Sequence, residues 1–154
     1  MCYRCTPESG VVNRDLTIEK SIHIHAPRQK VWEALADPGI VKQYFFGTTV
    51  HSDWKVSSPI TFQGEWEGNS FRDKGTILEI DPGHSLKYSY WSAFSGLEDR
   101  EENYSLVSYR LEEEKGGTSL SLTQTGFAGE EAMKQSQGGW EAVLAGLKQL
   151  LEES

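Results

Sequence analysis

The hydrophobic period of this chain changes near its end, and that change constrains the fold more than any other feature. Trp140, Val143, Leu144, Leu147, Leu150 and Leu151 recur at helical spacing. They form one face of a long amphipathic helix that starts near Gly129-Glu130. Gly138 and Gly139 lie inside it and cost about 1 kcal/mol each relative to Ala. Packing must offset that cost, and the pair reads as a place where the helix kinks or comes close to its neighbour. Almost everything before this helix has the period of a strand.

Leu16, Ile18, Ile22 and Ile24 alternate with Thr17, Glu19, Ser21 and His23, which is a half-buried strand. Lys20 interrupts its apolar face and reads as an edge or rim position. Pro27 opens a helix whose inward stripe is Val31, Ala34 and Leu35, and Asp37 caps a second short helix with Pro38 at its first position. Thr48 to His51 is a brief strand. A meander begins at residue 59, with Ile60, Phe62, Gly64 and Trp66 on one phase and a turn at Gly68-Asn69. The chain returns over Phe71 to Ile80. Asp81-Pro82-Gly83-His84 has the residues of a type II turn. Leu86, Tyr88 and Tyr90 follow, then a polar loop from Ser92 to Glu101, a strand through Val107, Tyr109 and Leu111, and a last strand through Leu120 and Leu122 that ends near Phe127. The expected class is α+β: a curved antiparallel sheet of about six to seven strands wrapped round the long C-terminal helix. Such an arrangement leaves a hollow between sheet and helix.

The length of 154 residues fits one domain, read as residues 14–154 after a disordered polar tail over residues 1–13. Lys plus Arg number 15 and Asp plus Glu 23, a net charge of −8. An acidic surface repels phosphate backbones and anionic lipid heads, so nucleic acid and membrane are not expected partners. No run approaches the ~20 apolar residues of a membrane span, and no secretory signal is read at the N-terminus, so the expected location is cytoplasmic. Cys2 and Cys5 have the spacing of half a zinc site, but no second pair accompanies them, and they read as incidental thiols.

The order of elements and the local motifs resemble the START-like helix-grip (SRPBCC, Bet v 1-like) superfamily. Within it, the chain is similar to the branch homologous to the C-terminal domain of the activator of Hsp90 ATPase. The resemblance runs from about Leu16 to Glu152. It rests on Ala26-Pro27, Val31-Trp32-Glu33-Ala34-Leu35, Asp37-Pro38 and Tyr44-Phe45, then on Gly75, Ile77, Asp81-Pro82, Leu86 and Tyr88, and finally on Gly139-Trp140, Leu144, Leu147-Lys148 and Leu151-Glu152. It implies a deep cavity under the C-terminal helix, in a superfamily whose members bind lipids, sterols, polyketides and other apolar molecules. Some branches are cyclases or hydrolases. The activator itself stimulates the Hsp90 ATPase, and its fuller activity also involves an N-terminal domain, for which this chain is expected to have no room.

Phe62, Trp66, Tyr88, Tyr90 and Tyr109 fall on inward phases of strands, and Trp140 on the inward face of the long helix. Together with Leu144 they are candidate walls of a pocket, apolar but carrying phenol hydroxyls that orient a ligand. Tyr44, Phe45 and Phe46 follow the second short helix and read either as a gate at the cavity mouth or as pins to the core. His51, at the end of a short strand near that mouth, is the best placed acid or base. His23 and His25 share a strand face without a third metal ligand. Glu65 and Glu67 flank Trp66 and, by alternation, point away from it. A nucleophile elbow, a phosphate-binding glycine loop and a metal-ligand set are not found, so no catalytic residue, metal or cofactor is expected. The expected partner is a small apolar or aromatic ligand, with a chaperone of the Hsp90 type as the alternative and a cyclase or hydrolase as a more distant one. Monomer and homodimer both remain open.

Overall fold

The computed structural model describes residues 12–45, 47–66, 68–92 and 97–153, with the side chain of Trp66 outside the described part. The expected tail, with Cys2 and Cys5, lies almost wholly outside it, as do Phe46, Glu67 and the middle of the polar loop. Strand β1 spans Asn13–Ile24, so it reaches back to the last residue of that tail. Helices α1 (Arg28–Ala36) and α2 (Pro38–Tyr44) follow. Then come β2 (Thr49–Ser52), β3 (Pro59–Trp66), β4 (Asn69–Asp81) and β5 (Ser85–Tyr90). A single 3-10 turn at Glu101–Asn103 leads into β6 (Ser105–Glu114), β7 (Gly117–Phe127) and helix α3 (Glu130–Glu152). The seven strands form one antiparallel sheet in the order β1-β7-β6-β5-β4-β3-β2. This is the α+β helix-grip architecture expected from the sequence.

Each junction has a local cause. The Asp37 carboxylate accepts the Gly39 N–H at 2.8 Å, and Pro38 opens α2 where a missing N–H costs nothing. Pro27 stands one residue outside α1, where its carbonyl accepts the Val31 N–H at 3.2 Å. Gly83 has φ +85°, the left-handed value that the third residue of a type II turn needs. The Thr118 hydroxyl, fully buried, donates to the Ala26 carbonyl at 2.8 Å and ties β7 to the start of the helix pair.

Helix α3 lies across the sheet with Trp140, Val143, Leu144, Leu147 and Leu151 buried. Its C-terminal half is held down at the β1 edge. Lys20 pairs with Glu141 at 2.7 Å, which places Lys20 at the rim the sequence suggested. Lys148 donates to the His23 carbonyl at 2.6 Å, and Glu152 accepts the His25 N–H at 2.9 Å. On the sheet, Ile18, Leu120 and Leu122 are almost completely buried. Gly75, on the inward phase of β4, faces the backbone of β5 so closely that a Cβ there would lie 1.6 Å from the Ser89 carbonyl oxygen. Only glycine fits that approach without moving β4 away from β5.

The two glycine environments separate by denaturation. Gly75→Ala is expected to destabilise the protein by about 2–3 kcal/mol through forced strand separation. Gly138→Ala, at an exposed helical site with nothing within 4 Å of the added methyl, is expected to stabilise it by about 1 kcal/mol. Urea unfolding followed by far-UV circular dichroism checks both signs.

Candidate functional site

Five aromatic rings from five separate elements form a closed circuit across the inside of the fold. Phe45, just after α2, stacks on Phe62 of β3 at a centroid distance of 6.3 Å. Phe62 meets Tyr88 of β5 at 5.7 Å, and Tyr88 meets Tyr109 of β6 at 6.3 Å. Tyr109 meets Trp140 of α3 edge-on at 6.1 Å, and Trp140 returns to Phe45 edge-on at 5.8 Å. Edge-to-face and tilted contacts in this range are the favoured geometries of aromatic pairs.

This circuit divides the interior. On the side of the short helices, Tyr44, Tyr109, Leu35 and Val50 close round a space of only about 20 Å³, little more than one water. Here the Tyr44 hydroxyl donates to the Ala34 carbonyl at 2.7 Å, so this residue pins α2 to α1. On the other side lies a cavity of about 500 Å³. Phe45, Phe62 and Tyr88 line both spaces and form the partition. The remaining wall of the large cavity comes from the sheet at Phe71, Asp73, Tyr90, Val107 and Gln124, and from α3 at Gln135, Ser136, Gly139, Trp140 and Val143. Thr48, Glu65 and Ser92 complete it.

The space exists because α3 is poor in side-chain volume over this stretch. Gly139 faces it with nothing within 4 Å of a would-be Cβ, so this glycine leaves a gap where a kink or a close approach was expected. Phe71 gains its place from Gly64 across the β3–β4 ladder, where a Cβ would meet the ring at 2.9 Å.

Polar groups in the walls are paired with one another. The Trp140 indole N–H donates to Gln124 Oε1 at 2.6 Å, and Gln124 Nε2 donates to Ser105 Oγ at 3.0 Å. The Ser105 hydroxyl donates to the Tyr90 carbonyl at 3.3 Å, so one chain of bonds joins helix, β7, β6 and β5. The Tyr90 hydroxyl donates to Asp73 Oδ2 at 2.5 Å, and the Ser92 hydroxyl also bonds the Tyr90 phenol oxygen. Asp73 is only 6 % exposed.

Burial pushes the Tyr44, Tyr88, Tyr90 and Tyr109 phenols up, above their usual value near 10. The Asp73 carboxylate adds to the effect at Tyr90. On the loop outside the cavity, Tyr104 is pushed up to about 12, first by desolvation and then by its bond to Asp99. The exposed Asp99 carboxylate is held below its usual range by Lys74 and by that same hydroxyl.

Of the residues singled out in the sequence, Phe45, Phe62, Tyr88, Tyr90 and Trp140 meet at the large cavity. Tyr44 and Tyr109 stand on the filled side of the partition, and Leu144 is buried core. His51 is exposed on β2 while its neighbour Val50 turns inward, so the structure does not bring this imidazole to the cavity. The Trp66 side chain lies outside the described part. Glu65, expected to point away, is among the lining residues. Asp73, Phe71 and Gln124 were missed, although the alternation that selects Ile77 and Gly75 also selects Asp73 and Phe71. Extending the Leu120–Leu122 phase likewise selects Gln124. A charge or amide on an inward phase was the available signal.

The fold and the cavity define the chain as a helix-grip protein with a hollow between its sheet and its long helix. The family described as activator of Hsp90 ATPase homolog 1-like protein matches residues 25–152, and the chain belongs to that family. It is similar to the solution structure of ChR145 from Cytophaga hutchinsonii, with 43 % identity over 92 % of this chain and 97 % of that one and a TM-score of 0.78. CalU16 from Micromonospora echinospora is 25 % identical over 88 % of this chain and 75 % of its own, with a TM-score of 0.70. CV1439 from Chromobacterium violaceum, 23 % identical with a TM-score of 0.74 over 90 % of this chain and 98 % of that one, shares the fold. No curated protein matches the chain in sequence. Among the described residues no helix is long and apolar enough to cross a membrane, and no group of three or more His, Cys, Asp and Glu is arranged to hold a metal ion.

The raised phenols predict an alkaline titration. A phenol whose folded pKa exceeds its unfolded value near 10 leaves native stability intact below pH 10 and removes it as pH rises toward the folded value. Absorbance at 295 nm should therefore show Tyr44, Tyr88, Tyr90 and Tyr109 un-ionised at pH 10.5 and ionising together with loss of near-UV dichroism at higher pH. Independent ionisation of these four near pH 10 in the folded protein would contradict their burial.

Proposed function

We propose that this protein binds a small apolar or aromatic molecule in the cavity between the sheet and α3. The observation that carries this reading is a space of about 500 Å³ with aromatic walls, inside the range of ~300–1,000 Å³ for ligand pockets. Protein interiors otherwise pack with few voids larger than a water. The walls are predominantly carbon, and Trp140, Gln124 and Ser105 are held by bonds among themselves. A ligand can therefore gain apolar burial there without breaking these bonds. The family resemblance, whose wider members bind apolar molecules, supports the same reading. Docking to a chaperone, the other role the family suggests, would call for an exposed patch. The large hydrophobics exposed on the described surface are Val56 and Leu78.

The test is a fluorescence titration with N-phenyl-1-naphthylamine, an uncharged probe that brightens in apolar sites. Saturable binding at one site per chain is expected, with Kd in the micromolar range, about −8 kcal/mol. Gly139→Trp, which places an indole in the gap, should weaken it by roughly tenfold or more while the protein remains folded. Unsaturable binding, or equal binding to the variant, would remove the cavity as the site.

A further inference from the structure

The wall of the large cavity carries polar as well as aromatic groups, and they differ in what they leave for an occupant. Gln124 is bonded to Trp140 and to Ser105. Asp73 is engaged within the protein by Tyr90 and by a further contact, and Ser92 bonds Tyr90. Glu65 and Gln135 are exposed and Ser136 is half-buried, so solvent reaches them at the rim. Thr48 is different. It lines the cavity and is only 3 % exposed. Its backbone N–H donates to the Phe45 carbonyl at 2.9 Å, but its hydroxyl has no hydrogen-bond partner among the described residues. Nor is that hydroxyl sealed in, as the unpartnered Asn103 Oδ1 is, so it opens on the space that Thr48 lines.

The local fold fixes this hydroxyl in place. Gly47, at φ +72°, lets the chain turn tightly between Phe45 and Thr48. Thr48 then precedes β2 on the inward phase of Val50. Beside it, a Cβ on Gly64 would lie 3.7 Å from the Thr48 Cα and 2.9 Å from the Phe71 ring. Thr48 and Phe71 thus flank a position without a side chain, next to the stacked pair of Phe45 and Phe62.

A molecule that fills the cavity keeps water from the Thr48 hydroxyl and must itself meet it. A hydrocarbon leaves the hydroxyl unbonded, which costs the desolvation of a polar group. A carboxylate brings its charge to a wall where the described residues include no Lys, Arg or His and where Asp73 and Glu65 are acids. An uncharged hydroxyl or carbonyl oxygen matches it, because a threonine hydroxyl both donates and accepts. We infer that Thr48 is the polar anchor of this cavity, and that the ligand is an aromatic molecule whose uncharged hydroxyl or carbonyl oxygen bonds the Thr48 hydroxyl. The inference rests on the cavity reading above and adds the group the ligand carries and the wall it points to.

Three probes with one ring system test it by isothermal titration calorimetry at pH 7, with protein titrated into dilute probe: 2-naphthalenemethanol, 2-ethylnaphthalene and 2-naphthoate. Thr48→Val keeps the branched shape and removes the hydroxyl. It should weaken the alcohol about five- to tenfold and leave 2-ethylnaphthalene within about twofold or tighter. Thr48→Ser, which retains the hydroxyl, should hold the alcohol within about threefold. The unmodified protein should bind 2-naphthoate more weakly than the alcohol. Equal weakening of alcohol and hydrocarbon in Thr48→Val, or equal weakening of the alcohol in both variants, would show a packing role. Either result overturns the inference and leaves the cavity reading intact, as does 2-naphthoate binding as tightly as the alcohol. If Thr48→Val does not fold, nuclear Overhauser contacts in the unmodified complex decide. The carbinol methylene should contact the Thr48 methyl, and its contact with the Val143 methyls instead overturns the inference. Failure of the alcohol to bind at millimolar concentration overturns both readings.

Discussion

The uneven apolar stripe of α3 is the constraint on which the rest of the structure depends. Its C-terminal half carries Leu144, Leu147 and Leu151, which are buried in one core cluster with Ile18, Leu120 and Leu122 of the sheet. Its N-terminal half presents Gln135, Ser136 and Gly139 to the same sheet. One helix therefore seals one end of the fold and roofs an empty space at the other. Trp140 sits at the boundary. Its ring closes the aromatic circuit, and its indole N–H fixes the helix to Gln124. Removing a partner of a buried hydrogen bond costs about 1–3 kcal/mol, so this contact holds the roof at a defined height.

The division of the interior explains how stability and an open cavity coexist. Core packing is concentrated where α1, α2 and the C-terminal half of α3 meet the sheet, and the partition of Phe45, Phe62 and Tyr88 keeps that core from relaxing into the hollow. Phenols on the filled side are bonded to the backbone or to each other, as Tyr44 is to Ala34 and Tyr88 is to Tyr109. On the open side the polar groups of Gln124, Tyr90 and Asp73 lie in the wall itself. Their placement gives an otherwise oily space a direction, with the carboxylate on the β4 wall.

Much of this was legible in the residues. Period two followed by period 3.6 separates sheet from helix, and Asp37-Pro38 and Pro82-Gly83 mark their own junctions through capping and turn chemistry. The helix pair could be placed because its caps are local. The site was read less completely, for a physical reason. An inward phase tells which residues leave the solvent, but not whether they meet packing or empty space. Tyr109 and Phe62 look alike in sequence, yet Tyr109 faces only the filled side. Gly138-Gly139 suggested a kink or a close approach, but a missing side chain can also leave a gap, and only the height of the helix decides between contact and gap. Asp73 lay on an inward phase in plain view, but a search for converging acids and bases passes over a lone carboxylate among rings. His51 drew attention as a titratable group near the mouth, and the alternation set by Val50 turns it outward.

The central claim is that a ligand enters the space between the sheet and α3, and its location can be measured directly. In a methyl- and indole-detected NMR titration with 2-naphthalenemethanol, the account predicts saturable shifts at the Val107 and Val143 methyls and at the Trp140 indole N–H. Val56 and Leu78, on the outer surface, should stay unmoved. Shifts confined to Val56 and Leu78, or a cavity silent at millimolar probe, would contradict it.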